Sequence, residues 1–256
     1  MQEHPVQIPA LNLTTTDPAV PGWHRETTFL RDYLHEPGAV IFVIGAYNGT
    51  IAQLLIEQEA DARFYLFEPQ DWAAAQLREK FGHLPNVKVC EFGLGDCSGT
   101  FRMGLYQTYF CSFMRGSQEL KGADTWFDGR LVEIGDFLES EGIAEVYYAS
   151  INIEGYEFVL LPHMAGKGLL ERVRTIGISW HGPDCTWLGQ PVHGQEAEEE
   201  TLAKTHDLVL SIDNWQSWAR REKAPEILEP LPFEPEPPKP KPVRKVKAKR
   251  RTKSKR

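Results

Sequence analysis

Short apolar runs rich in β-branched residues alternate with helix-patterned segments along most of this chain, and that rhythm restricts the fold more than any other feature. Ala39 to Ile44 is an apolar run set between glycines. It is too short for a core helix and reads as a buried parallel strand. A helix pattern follows from Thr50 to about Glu59, then an apolar strand from Arg63 to Phe67. Asp71 to Phe81 is the next helix, with Asp71 placed as a cap or first-turn acid. Val87 to Phe92 reads as a third strand. The alternation resumes with a short helix over Asp136 to Glu141, a strand over Val146 to Ile153, and a helix over Glu157 to Met164 that Pro162 shortens or kinks. A strand over Val173 to Trp180, a polar helix over Glu196 to Thr205 and a last strand over Leu208 to Ile212 complete it. Strands alternating with helices predict stacked βαβ units, hence a parallel sheet covered on both faces. Ligands of such sheets bind at the carboxyl ends of the strands, near the switch in strand order.

The net charge of −8 conceals a division. Residues 239–256 hold 11 of the 28 Lys and Arg and no acid, whereas residues 1–238 carry 17 basic against 36 acidic side chains. The expected organisation is an extended Pro- and Thr-rich arm over 1–22, a domain over 23–222 that opens with an amphipathic helix from His24 to His35, a Pro-rich linker over 223–242, and a disordered basic tail over 243–256. The acidic body should repel nucleic acid. The basic segment 239–256 is a candidate for binding nucleic acid or another polyanion, with a solubilising or body-associating role as its alternative. Residues 99–131 break the βα rhythm and carry Tyr106, Tyr109, Phe110, Phe113, Trp126 and Phe127. A substrate lid and a hairpin packed on the sheet edge are both open readings of this insertion.

Four cysteines occur without a Cys-x-x-Cys pair, and no His cluster has zinc-ligand spacing, so no metal is expected. The N-terminus lacks a signal-peptide pattern, and no apolar stretch approaches the ~18 residues of a membrane span. The expectation is a soluble, cytoplasmic protein with no membrane partner.

Three segments carry candidate chemistry. Val40-Ile41-Phe42-Val43-Ile44-Gly45-Ala46-Tyr47-Asn48-Gly49 is a strand, a glycine-bearing turn and a helix start. Such a turn lets the backbone approach a ligand and offers free N–H groups. It lacks the three-glycine dinucleotide spacing and the Lys of a P-loop. Glu68, in Phe67-Glu68-Pro69, ends the next strand 23 residues after Gly45. That is where nucleotide-binding α/β domains place an acid for the ribose hydroxyls. A lone acid at a strand end is usually a solvated surface group; the pairing with the glycine turn favours ribose binding. Ile151-Asn152-Ile153-Glu154-Gly155-Tyr156-Glu157 ends the fourth main strand and should point into the same crevice.

These segments together resemble the FkbM-type methyltransferases, a class I family that uses S-adenosylmethionine to methylate hydroxyls of varied small molecules and sugars. The matches are Gly45, Ala46 and Gly49; Phe67, Glu68 and Pro69; Leu94, Gly95 and Asp96; and Glu154, Gly155 and Glu157, in order over roughly residues 39–180. Cys111-Ser112-Phe113 also resembles a serine-bearing segment of the family. Departures are Val43 for the first Asp, Tyr47 for an Asn, Gly135 for an Asp, Ser150 for a Lys and Asn152 for an Asp.

The resemblance implies a Rossmann-like class I methyltransferase fold, with a mostly parallel seven-stranded sheet and helices on both faces. It implies an S-adenosylmethionine site at Gly45, Ala46, Tyr47, Asn48, Gly49, Glu68, Pro69, Gly93, Leu94 and Asp96. It implies a small-molecule or glycan acceptor facing Glu154 and Asn152. Glu154 is the candidate general base and His181 the second. Stabilisation of a helix N-terminus rivals this for Glu154, and a structural, hydrogen-bonded histidine rivals it for His181. The competing function is a binding module that keeps the fold and has lost the chemistry, with the basic tail contacting nucleic acid.

Overall fold

The computed structural model describes residues 37–106, 110–113, 125–181 and 194–221. The arm at 1–22, the helix expected at 24–35, the linker, the basic tail and the centre of the aromatic insertion lie outside the described residues. The elements are β1 (Val40–Ile44), α1 (Thr50–Gln58), β2 (Arg63–Phe67), α2 (Asp71–Phe81), β3 (Val87–Cys90), β4 (Gly93–Gly95), β5 (Gly99–Tyr106), β6 (Phe110–Phe113), β7 (Thr125–Glu133), α3 (Ile134–Ser140), β8 (Val146–Ile151), α4 (Glu157–Gly166), β9 (Val173–Ser179), α5 (Gln195–Leu202), β10 (His206–Ile212) and β11 (Trp215–Arg220).

Seven strands form the main sheet in the order β10-β11-β9-β8-β1-β2-β3. Strands β3, β2, β1, β8 and β9 pair in parallel, and β11 runs antiparallel to both β9 and β10. The strand order reverses at β1, between β2 and β8. All five residues of β1 are buried, as expected for a central strand covered twice. Alternate β1 residues feed two cores. Ile41 and Val43 pack with Ala52 and Leu55 of α1 and Leu77 and Phe81 of α2. Phe42 and Ile44 face Phe137 of α3, Leu160 and Leu161 of α4 and Leu202 of α5. Helices therefore cover both faces, as the sequence reading expects.

Two stretches depart from that reading. The run Val87 to Phe92 does not form one strand: β3 ends at Cys90, and the chain crosses into β4, which pairs with β7 in a separate four-stranded sheet of order β4-β7-β5-β6. The described part of the aromatic insertion is thus antiparallel β-structure built on β5 and β7. The second departure is β11, which no apolar run announces. Its Gln216 and Ser217 are buried, and the Gln216 amide oxygen accepts from the indole N–H groups of Trp180 and Trp218 at 2.8 and 3.0 Å. Polar side chains with internal partners make a buried strand read as a surface one.

Among the described residues no helix is long and apolar enough to cross a membrane, and no group of three or more His, Cys, Asp or Glu could hold a metal ion.

Candidate active site

A cavity of about 200 Å³ opens at the carboxyl ends of β1, β2 and β8, where the strand order switches. Ile44, Gly45, Tyr47, Glu68, Pro69, Gln70, Gly93, Leu94, Asn152, Ile153, Glu154 and Tyr156 line it, and Met103 and Leu131 of the second sheet close one side.

The first turn is held by backbone geometry. Gly45 and Gly49 have φ of 83° and 76°. A Cβ on Gly45 would lie 2.0 Å from the Asn152 carbonyl oxygen, so β1 and the segment after β8 meet only because this residue is glycine. Tyr47 also adopts a left-handed φ, 44°, which disfavours a side chain of its size. It is kept there partly by its N–H, which donates to Glu68 Oε2 at 2.8 Å. Asn48 turns away from the cavity: its Oδ1 accepts from the Thr50 N–H at 3.1 Å and the Thr50 hydroxyl at 2.7 Å. Ala46 and Gly49 shape the turn from outside the cavity wall. Tyr47 leaves the cavity open, its ring meeting Trp72 of α2 edge-on at 5.5 Å.

Glu68 is 2% exposed, and its carboxylate points into the structure. Oε2 accepts from Tyr47 and Oε1 from the Gln70 N–H at 2.9 Å. Burial pushes its pKa up to about 7, with the two backbone N–H bonds pulling only partly back. Among the described residues no cation stands beside it. The Gln70 side chain makes a third hydrogen bond to the carboxylate, which keeps acceptor capacity for a further donor.

Beyond β8, Glu154 (φ 54°) and Gly155 (φ 94°) make a tight turn into α4. Glu157, fully buried, accepts from the Gly155 N–H at 2.9 Å, the His181 N–H at 3.0 Å and His181 Nδ1 at 2.8 Å. His181 Nε2 lies 3.3 Å from Glu154 Oε2. Burial by itself would lower the His181 pKa; the hydrogen bonds to Glu154 and Glu157 and their charges overcome this and hold it at about 10. Both ring nitrogens face carboxylates, so the ring sits there as an imidazolium.

Glu68, Pro69, Gly93, Leu94, Asn152 and Glu154 thus share one cavity with Gly45 and Tyr47, and His181 reaches it through Glu154. Asp96 lies outside the wall and accepts from the Tyr156 hydroxyl at 2.6 Å. Sequence reasoning gave no role to Gln70, Met103, Leu131 or Glu157. Glu157 had a signal in the repeated acid of Glu-Gly-x-Glu. Met103 and Leu131 had none, because they come from the second sheet.

Of the positions that depart from the resembled pattern, Val43 and Ser150 are register partners on β1 and β8, buried at 1% each, away from the cavity wall. With Val and Ser at these positions no ion is buried there, although the Ser150 Oγ has no hydrogen-bond partner among the described residues. Gly135 is also outside the wall; Asn152 alone of these three acid positions faces the cavity.

The chain matches no protein-family model. It is 33% identical over 76 residues to the 2-O-methyltransferase NoeI of Sinorhizobium fredii (strain NBRC 101917 / NGR234), a match that covers 30% of each protein. Among solved structures, it is similar to an rRNA methylase from Streptococcus thermophilus at 12% identity, with 79% of this chain and 98% of that one covered and a TM-score of 0.44. It is also similar to the N-methyltransferase NodS from Bradyrhizobium japonicum WM9 at 9% identity, with 77% and 96% covered and a TM-score of 0.42.

Proposed function

We propose that this chain is an S-adenosylmethionine-dependent methyltransferase acting on a hydroxyl of a small molecule or glycan. The observation that carries the proposal is the shared cavity of the Gly45–Tyr47 turn and the inward Glu68 carboxylate, with an acid–histidine cluster at its far end. The partial likeness to a 2-O-methyltransferase supports the choice of a hydroxyl acceptor.

The residues present fit the cofactor. Glu68 accepts two backbone N–H bonds and one from the Gln70 side chain, and its carboxylate keeps acceptor capacity for a ribose hydroxyl. Pro69, Gly93, Leu94, Met103 and Leu131 give an apolar wall for a base, and Gly45 brings bare backbone to the amino-acid end. When bound, the cofactor supplies a sulfonium-activated methyl group. The protein's work is then to align the acceptor, keep water out and take a proton. Glu154, in the cavity wall, is the assigned base for the acceptor hydroxyl. His181 is assigned to orient it rather than to act as base, because an imidazolium held at about 10 has no lone pair to offer near neutral pH. Glu157 fixes that ring from behind. Asn152 offers an amide to the acceptor or to the methionine end.

Calorimetric titration with S-adenosylhomocysteine tests the reading. Binding is expected, and Glu68→Ala should weaken it roughly ten-fold, the ~1.4 kcal/mol of a lost charged hydrogen bond. No binding at millimolar ligand overturns the assignment. Transfer of labelled methyl to pooled hydroxyl acceptors, abolished by Glu154→Gln with cofactor affinity retained, tests the second half.

A further inference from the structure

On one face of the main sheet the described helices stop short of β8. Along β8, β9 and β11, the residues Ala149, Ile151, Ile176, Ile178 and Trp218 turn to the core that α3, α4 and α5 share. Their neighbours turn the other way. These are Tyr148 and Ser150 on β8, Thr175 and Gly177 on β9, and Ser217 and Ala219 on β11. All six are buried, and the five with side chains are exposed by 4% or less. Among the described helices, only α1 and α2 feed the core on this side. They connect β1 to β2 and β2 to β3, which places them over the half of the sheet away from β8. A sheet face buried this completely has a cover, and no described helix supplies it.

We propose that this face is the docking surface of residues 24–35, packed as an amphipathic helix against β8, β9 and β11. Chain connection selects that segment: it joins β1, the sheet neighbour of β8, through the short link at Pro37 and Gly38. Length selects it too. A helix over 24–35 spans about 18 Å, close to the roughly 17–20 Å of a strand of ordinary length. Shape is the third ground. The segment carries Phe29, Leu30, Tyr33 and Leu34 on one side, and the sheet offers Ser, Thr, Gly and Ala, a shallow trough for bulky side chains. The other segments outside the described residues lack this pattern. Residues 182–193 leave the cavity end of β9 and contain Pro183 and Pro191, residues 114–124 offer only Met114 and Leu120 as large apolar side chains, and residues 225–242 are proline-rich. The docked helix braces β8, the strand that leads into Asn152 and Glu154 of the cavity wall.

The test uses the full chain with the photoreactive residue p-benzoylphenylalanine in place of Tyr33. After irradiation and proteolysis, mass spectrometry should find its adducts in the peptides that carry residues 148–150, 175–179 or 217–219. Thermal melting runs in parallel. Leu30→Ala should lower the melting temperature by about 5 °C or more, as for a large side chain truncated in a core. Arg31→Ala, on another side of the same helix, should shift it by less than about 2 °C. Adducts confined to other parts of the chain or to a second copy overturn the proposal, as does the absence of any adduct. Equal melting of Leu30→Ala and the wild type overturns it as well. Should the photoreactive variant not fold, the two alanine variants decide alone.

Discussion

Two buried carboxylates, Glu68 in the cavity wall and Glu157 behind Glu154 and His181, are solved differently. Glu157 is surrounded by donors of the protein's own making, two backbone amides and the His181 ring. Glu68 has two backbone N–H partners and the Gln70 side chain, with no cation beside it among the described residues, and burial pushes its pKa up to about 7. The Glu157 end is therefore complete without a ligand, and its stability is built in. The Glu68 end stays under-satisfied until a ligand brings hydroxyl donors. A site can keep one half rigid as scaffold and leave the other half costly as a binding surface.

The contrast can be broken most forcefully at Glu157. Glu157→Ala strands two N–H groups and removes a close partner of a buried imidazolium, which should cost about 3–5 kcal/mol in urea unfolding. A loss below about 1 kcal/mol would mean that the cluster is not the scaffold described here. Gly45→Ala tests the turn after β1, where backbone shape dominates. A φ of 83° and a 2.0 Å clash with the Asn152 carbonyl should together cost about 2–4 kcal/mol.

Stability against pH sharpens the comparison. Glu68 has a higher pKa folded, about 7, than its ordinary 4.5. The folded state binds that proton more tightly, so its contribution is full below about 4.5 and is lost as pH rises to 7. His181, raised from 6.5 to about 10, contributes fully below 6.5 and loses its contribution towards 10. The melting temperature of the ligand-free protein should fall steadily from pH 5 to 10, with Glu68 accounting for on the order of 2 kcal/mol of the lower half. Glu68→Ala should flatten that lower half and leave the upper one; a curve rising with pH contradicts both assignments. The smallest effect is expected at Asn48, whose side chain accepts from the N–H and hydroxyl of Thr50, the first residue of α1. Asn48→Ala should cost about 1 kcal/mol of stability and leave S-adenosylhomocysteine affinity within two-fold.

The frame of the fold is legible wherever burial follows local pattern. Arg63–Phe67 and Asp71–Phe81 form the strand and helix that their apolar spacing predicts, and Thr50–Gln58 and Val146–Ile151 differ from expectation only at their ends. Legibility fails where partners are distant in sequence. Nothing local divides the run Val87 to Phe92, because the pairing of β4 with β7, some 38 residues on, ends β3 early. Nothing local marks Trp215–Arg220 as a strand, because its buried Gln216 finds its partners at Trp180, just after β9, and at Glu199 on α5. At the site, Gly45 and Glu68 could be paired by spacing. The engagement of His181 by both Glu154 and Glu157, and of Asp96 by Tyr156, could not.

The sequence by itself determined the βαβ order, the placement of Glu68 at a strand end and the glycine turn before α1, because these follow from periodicity and from conformations that only certain residues adopt cheaply. Only the tertiary structure decided which polar groups are spent and which remain to meet a ligand. Hydrogen-bond capacity is used up by neighbours in space. Glu157 and Asp96 are occupied by residues far along the chain, while Glu68, in the cavity wall, keeps acceptor capacity that the protein does not use up.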